Sequence, residues 1–405
     1  MKKKQIKQFR RVVFLLDILK LAFTAFGGPQ VHFTQFVRLL VNKKNYLTEA
    51  ELKELNSLCS MLPGPTSTQT ITTIGYKMGG PTLAFFTLAI WILPACLLMG
   101  GAAIILSNLT LDNPKLNFLK YLEPMASGFL IYAAYRFIQI FITRKFHWAL
   151  LIGTAFIGIS FQLGSPYIIP LALLVGGLIS SYINTRGVVK KPKPIHNIDY
   201  SNLILFFGIF AVAAIIGVAT HGRYDYLSRI FLLFENNFRY GSIVFGGGNV
   251  LIPLMFNQFV EFRHYIEASE FLAGVGFLQA MPGPVFSFAS YAGAMSMKEF
   301  GFGGQLAGIL AGSVGIFLPG ILLIFFVYPI WNQLKDFAPV KNAIEGINAA
   351  SAGLVVSSAY LLFLPVEVNE ENMIVLLTTL FLLLSTRVPS PIIVVTCIIA
   401  GFIIK

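Results

Sequence analysis

The sequence predicts an all-α protein of the polytopic membrane class, a helix bundle made of two inverted-topology repeats with helices broken at Pro-Gly-Pro. Three observations predict it. Residues are 56% hydrophobic and only 12% charged, with a mean hydropathy of +0.74, whereas water-soluble domains carry about 25% charge. Apolar runs near the ~20 residues that a bilayer-spanning helix needs recur along the 405 residues. The second half of the chain also repeats landmarks of the first.

Candidate spans are 9–27, 66–80, 82–107, 116–142, 146–163, 166–184, 201–219, 228–247, 284–297, 305–330, 343–365, 373–387 and 391–405. The stretches 30–62 and 249–281 read as amphipathic helices that lie on the membrane or dip into it. The basic start (Met1 to Arg11) imitates a signal peptide, but Asp17 and Lys20 interrupt the apolar run and no small-residue cleavage site follows. The expectation is a retained first helix with a cytoplasmic N-terminus. Thirteen crossings then put residues 143–147 (TRKFH), the basic linker 186–193 (RGVVKKPK), Lys335 and Lys341 inside, and the acidic loop 367–371 outside. Each of these loops obeys the positive-inside rule.

The formal charge of +12 sits in these short loop clusters, so nucleic acid is not an expected partner. Cys59, Cys96 and Cys397 are far apart and form no CxxC, which argues against a disulfide or metal site. No cofactor is expected.

The repeat is the more informative signal. Phe26-Gly27-Gly28 recurs as Phe245-Gly246-Gly247, and Pro63-Gly64-Pro65 as Pro282-Gly283-Pro284, both at an offset of 219. In that register ten of the forty positions 26–65 are identical, including Val31, Val41, Tyr46 and Glu51. After an insertion near 297–302 the offset becomes 225, pairing Leu93-Pro94 with Leu318-Pro319, Gly128 with Gly353, Tyr135 with Tyr360 and Ser165-Pro166 with Ser390-Pro391. The chain divides into a first repeat (1–184), a Pro-rich basic linker (185–200), an extra helix (201–219) and a second repeat (220–405). An odd number of crossings between repeat starts inverts the second, an arrangement found in secondary transporters with sites near the midplane.

Each Pro-Gly-Pro should end one helix and begin another. The freed backbone groups then need protein or water, and the new helix N-terminus suits an anion. Thr66, Ser67 and Thr68 follow the first copy and can either donate to an oxyanion or bond back to the helix. The second copy leads into Val285 and Phe286, so the halves are chemically unequal. Gly27, Gly28, Gly246 and Gly247 permit positive φ or a close helix crossing. His32 matches Leu251, and a lone histidine is commonly structural.

Charges inside the membrane are costly. Lys20 aligns with Arg239 and Lys44 with Arg263, and such cations can attract an anion or pair locally, Lys20 with Asp17 and Arg239 with Glu235. Glu51 and Glu270 are matched carboxylates that can carry protons or cap their helices. There is no HExxH, no GxxxxGK[ST] and no nucleophile with a histidine partner, against an enzyme. The residues alone fit a secondary carrier of an oxyanion, with an anion channel or a membrane-embedded lipid-modifying enzyme as alternatives.

The motif Phe26–Pro29 followed by His32, Leu62–Pro65, Gly75 and Leu93-Pro94 resembles the first domain of the chromate ion transporter family. Phe245–Gly248, Gln279–Pro284, Phe317–Pro319 and Pro329–Trp331 resemble its second domain, in the long two-domain form. The chain departs from the family at Ser60, commonly Gln, and at Tyr46 and Tyr265, commonly Trp; Gln279 keeps the pattern. The resemblance implies a protein of the bacterial plasma membrane that exports chromate, in competition with sulfate and driven by ion gradients. Its expected partners are a small oxyanion and the lipid bilayer; a homo-oligomer is left open.

Overall fold

A backbone withdrawn from water must satisfy its own N–H and C=O groups, and this chain does so with helices. The computed structural model describes all residues except 1, 110–118, 161–167, 186–198, 221–224, 246–247, 332–337, 387 and 404–405. For 2–7, 29–30, 168–170, 185, 249 and 338–341 it describes the backbone alone. The linker 186–193, Lys335, Gly246, Gly247 and Ser165-Pro166 thus lie outside the described residues, wholly or in their side chains.

The first half contains α1 (Lys2–Thr24), α2 (Gly28–Phe36) with a π-helical continuation (Val37–Lys43), α3 (Glu49–Ser60), α4 (Thr66–Asn108), α5 (Leu122–Phe141), α6 (Lys145–Ser160) and α7 (Ile168–Thr185). Then come α8 (Ser201–Ala219), α9 (Asp225–Ile243), α10 (Gly248–Phe256) with its own π-helical continuation (Asn257–Phe262) and α11 (Ala268–Ala280). A 3₁₀ turn (Val285–Ser287) leads into α12 (Phe288–Ser296), followed by α13 (Gly301–Val327), α14 (Ala338–Phe363), α15 (Glu370–Ser385) and α16 (Ser390–Ile403). No strand occurs among the described residues.

The helices near each repeat's start fold back on themselves. Asp17 on α1 accepts from Tyr46 Oη at 2.7 Å and pairs with Lys44 at 3.0 Å, so the chain leaving α1 returns alongside it. A capping box of Thr48 and Glu51 starts α3. Asn56 Oδ1 then accepts from Thr70 Oγ1 at 3.2 Å, and Glu51 pairs with Lys77. α3 and the start of α4 are therefore arms of one hairpin with Pro63-Gly64-Pro65 at its bend. Gly80, with φ 78° and ψ −168°, reverses α4 in turn. Trp91 Nε1 donates to Thr68 Oγ1 at 3.1 Å across that reversal. Glycine serves at Gly75, where a Cβ would lie 2.4 Å from Thr87 Oγ1.

The thirteen crossings expected from sequence include 9–27, 66–80, 228–247 and 284–297, and the structure makes each of these an arm of a hairpin, α9 being met by the returning chain where Tyr240 Oη donates to Gln258 Oε1 at 3.3 Å. The arm 66–79 is about 21 Å long at 1.5 Å per residue, short of the ~30 Å hydrocarbon core, and it folds back at both ends. The arm after the second Pro-Gly-Pro behaves alike: Glu270 O accepts from Tyr291 Oη, Glu270 Oε1 pairs with Lys298, and Ser290 bonds Ser313 of α13 at 2.7 Å. Four described helical stretches are long and apolar enough to hold a membrane crossing: 66–108, in which the long arm follows Gly80, 201–219, 298–330 and 342–363.

Local features recur at the 219 offset. Both π-helical stretches, capping boxes at Thr48/Glu51 and Glu267/Glu270, and left-handed Asn45 (φ 51°) and His264 (φ 52°) occupy equivalent places. Around this centre, α14 packs along α5, α6 and α7. At one end Lys120 pairs with Glu371 at 2.7 Å, and that hydrogen bond, with Tyr121, holds the Glu371 carboxyl below its ordinary range. At the other end Arg144 pairs with Glu345 at 3.5 Å. α5 and α14 therefore run antiparallel. Leu178, Ile204, Phe207 and Val218 are exposed, an apolar exterior suited to lipid.

Candidate functional site

Four breaks in the helices meet inside the bundle. The first two follow α1 and α9, where the chain leaves the helix at Ala25 and Val244, both fully buried. The other two are the Pro-Gly-Pro turns, in which Gly64 (φ 114°) and Gly283 (φ 108°) take the same left-handed conformation. The Gly64 N–H donates to Val244 O at 2.7 Å, and the Gly283 N–H donates to Ala25 O at 2.7 Å. Each turn thus binds the other half, and the two bonds exchange when 219 is added to the residue numbers. Gly248 follows the second break so closely that a Cβ there would lie 2.3 Å from Val285.

Helix starts line this junction. Pro65 precedes α4 and Pro284 precedes the 3₁₀ turn, and neither supplies a side-chain cap. The first-turn amides of α4 have no intrahelical acceptor and carry the positive end of the helix dipole. Around them, Ser67, Thr68 and Gln69 are buried and Thr66 is half-buried. Gln69 Nε2 donates to Pro63 O at 2.6 Å, while its buried Oε1 meets no protein donor. Of the hydroxyls, Thr70 and Thr72 bond back to Thr66 O and Thr68 O, whereas Ser67 and Thr68 serve longer-range partners. Ser67 Oγ lies 3.0 Å from His32 Nδ1, and His32 Nε2 lies 3.1 Å from Ala25 O. Trp91 stands edge-on to His32 with ring centroids 5.4 Å apart.

The other expected residues fall in different settings. Gly27 (φ 90°) and Gly28 (φ 81°) form the bend into α2. Gln279 is half-buried on α11. Lys20 is exposed, and Asp17 is bonded instead to Lys44 and Tyr46, which the returning chain brings alongside α1. Arg239 is buried beside Glu235 at 3.5 Å and Asn236, so the aligned Lys20 and Arg239 have unlike surroundings. Arg263 is half-buried, its guanidinium 5.4 Å from the Phe262 ring centroid. Glu51 and Glu270 cap their helices and pair with Lys77 and Lys298.

Sequence reasoning missed the partners of the junction. Ala25 and Val244 act through their carbonyls, which no side-chain motif reveals. His32 and Ser67 are 35 residues apart, and only the unmatched histidine beside Phe26–Pro29 hinted at a special place.

A bundle of apolar helices, four of them long enough to cross a membrane, is the architecture of a multi-pass membrane protein. The chromate transporter family model matches residues 12–180 and 231–402, and the chain belongs to that family. It is similar to an uncharacterized transporter of Methanocaldococcus jannaschii, 24% identical over 394 residues, covering 96% of this chain and 93% of the relative. A protein of Synechococcus elongatus named "probable chromate transport protein" is 24% identical, with 95% and 93% covered. The chromate transport protein of Cupriavidus metallidurans is 22% identical, with 96% and 92% covered. No solved structure matches.

Proposed function

We propose that the chain is a secondary carrier that exports chromate, or a tetrahedral oxyanion like it such as sulfate, across the bacterial plasma membrane. The anion sits where the four turns meet, held by the first-turn amides and hydroxyls of α4. The observation that carries this reading is the reciprocal pair of hydrogen bonds, Gly64 to Val244 O and Gly283 to Ala25 O. Bonds that exchange under the repeat offset are what a two-fold axis between the repeats produces, and with the second repeat inverted that axis lies in the membrane plane with a site at the repeat interface. Tetrahedral dianions match a cluster of N–H and O–H donors, and a seat made of the amides and hydroxyls named here, none of them a cation, lets the anion leave again.

The inverted repeat has further support. Gly128 on α5 abuts Thr379 and Leu376 O of α15, and its equivalent Gly353 on α14 abuts Thr154 and Leu151 O of α6. All three positions exchange at the offset of 225. From a cytoplasmic N-terminus, the long arm of α4 and then α5, α6 and α7 return the chain to the cytoplasm at the basic linker. α8 carries it out again, so the second half begins on the opposite face. The sides assigned to the charged loops from sequence are unchanged, because each hairpin enters and leaves on one face.

Reconstitution into liposomes tests the function. Chromate or sulfate loaded inside should accelerate uptake of labelled chromate, as a carrier exchanges one anion for another. Equal uptake with and without internal anion, accompanied by ionic conductance, would make it a channel.

A further inference from the structure

We propose that His32 couples a proton to the anion by setting the direction of the Ser67 hydroxyl. This rests on the reading of the α4 N-terminus as the anion's seat.

The hydrogen bonds fix the tautomer. Ala25 O can only accept, so His32 Nε2 carries a hydrogen and donates to it at 3.1 Å. In the neutral ring Nδ1 is then a bare lone pair, and Ser67 must donate to it at 3.0 Å. The single Ser67 proton is used there, and the hydroxyl offers only lone pairs to an anion at the start of α4. Protonation of Nδ1 reverses this. Imidazolium donates at both nitrogens, Ser67 Oγ accepts, and the Ser67 hydrogen is free to point at the anion. The anion gains one donor and a positive charge one side chain away.

The proton has one way in. Nε2 is closed by Ala25 O, the ring is fully buried, and Trp91 stands against it. A proton from water at the junction adds to Ser67 Oγ while the Ser67 hydrogen passes to Nδ1. One proton enters, and no other bond is made or broken. Charged groups on the neighbouring elements are bonded to other partners or exposed, as Arg38 of the π-helical continuation of α2 is. On α1, Asp17 holds Lys44 and Tyr46, Arg11 donates to Gly79 O, and Lys20 is exposed; on α3 and α4, Glu51 and Lys77 hold each other. In the second half the equivalents of His32 and Ser67 are Leu251 and Phe286, both buried, so the device occurs once. Ala25 O also accepts from Gly283. A charged His32 is the stronger donor to that shared oxygen, and its protonation loosens the bond between the halves as the anion binds.

Labelled-chromate binding to the purified full-length chain, measured across pH and corrected for the protonation of chromate itself, tests the proposal. Affinity should fall about tenfold as pH rises through one titration, the worth of one charge-assisted hydrogen bond. His32→Gln can donate to Ala25 O and accept from Ser67 but takes no proton. It should elute as wild type on gel filtration, bind at the alkaline affinity throughout, and show no proton uptake on adding chromate to weakly buffered alkaline protein. Ser67→Ala, which retains the histidine, should also lose the pH step. A His32→Gln protein that keeps the wild-type pH slope overturns the coupling. If Ser67→Ala and Pro63→Ala with Pro65→Ala bind chromate as wild type does, the seat on α4 is wrong and the coupling falls with it. If those lose binding while His32→Gln keeps the slope, only the coupling falls.

Discussion

At the scale of single residues, the two Pro-Gly-Pro glycines carry unusual weight because each combines a backbone conformation with a bond to the other half. Gly64 and Gly283 sit at φ 114° and 108°, where a side chain costs of order 1–3 kcal/mol. A Cβ at Gly283 would lie 2.6 Å from Ala95 Cβ, and one at Gly64 would lie 2.9 Å from Gln69 Nε2. The second clash falls on a side chain that also ties down Pro63 O. Gly64→Ala should therefore displace Gln69 and the first turn of α4, and Gly283→Ala should push the second turn away from α4. We expect chromate transport in liposomes to fall at least tenfold in both, with membrane abundance reduced far less. Equal losses of transport and abundance would mean the turns serve only folding. His264 offers the opposite test. It holds φ 52° without being glycine, so His264→Gly should raise thermal stability by about 1 kcal/mol, read as a shift in the unfolding midpoint of the purified protein.

At the scale of elements, the decisive units are hairpins rather than spans. Restoring helix continuity with Pro63→Ala and Pro65→Ala would give the bend between α3 and α4 its missing amide donors and let the two helices fuse. The first-turn amides of α4 would then be consumed by the helix. Transport should be abolished while the chain still inserts, and wild-type transport by the double variant would remove the site. These bends were legible in the sequence because proline and glycine act on their own backbone: the Pro-Gly-Pro positions, the phenylalanine-glycine-glycine breaks and the 219 offset needed no tertiary information. The fold-back was not legible. Window hydropathy gives 66–80 the profile of a crossing, and only the reversal at Gly80 and the Trp91–Thr68 bond make it an arm. Asp17 shows the same limit, since a reading along one helix pairs it with Lys20, while the returning chain delivers Lys44. The candidate site was half visible: its amides and hydroxyls are read from the motif, but His32, Gln69 and the two accepting carbonyls depend on which segments meet.

At the scale of the whole molecule, the proposed inversion of the second repeat makes a claim about sides that no single helix makes. Glu49 lies at the base of the first hairpin, where Glu51 and Lys77 close it, and Glu299 lies at the base of the second, beside Lys298 and Arg229. Both carboxylates are largely exposed, with side chains 52% and 66% accessible. If the halves share a two-fold axis in the membrane plane, the two bases open to opposite faces although they are equivalent in the repeat. The charge pairs define the same two ends independently: Lys120 with Glu371 at one, Arg144 with Glu345 at the other. Under the positive-inside rule the end with the basic residues 143–147 and 186–193 is expected to be cytoplasmic and the end with the acidic residues 367–371 to lie outside. With Cys59, Cys96 and Cys397 replaced by serine, single cysteines at Glu49, Val189, Val368 and Glu299 can be labelled in intact cells with a membrane-impermeant maleimide. Val368→Cys and Glu299→Cys should react from outside. Glu49→Cys and Val189→Cys should react only after the cells are opened. Labelling of Glu49→Cys and Glu299→Cys from one face would mean parallel halves, in which the exchanged bonds at Gly64 and Gly283 could not arise from an in-plane axis.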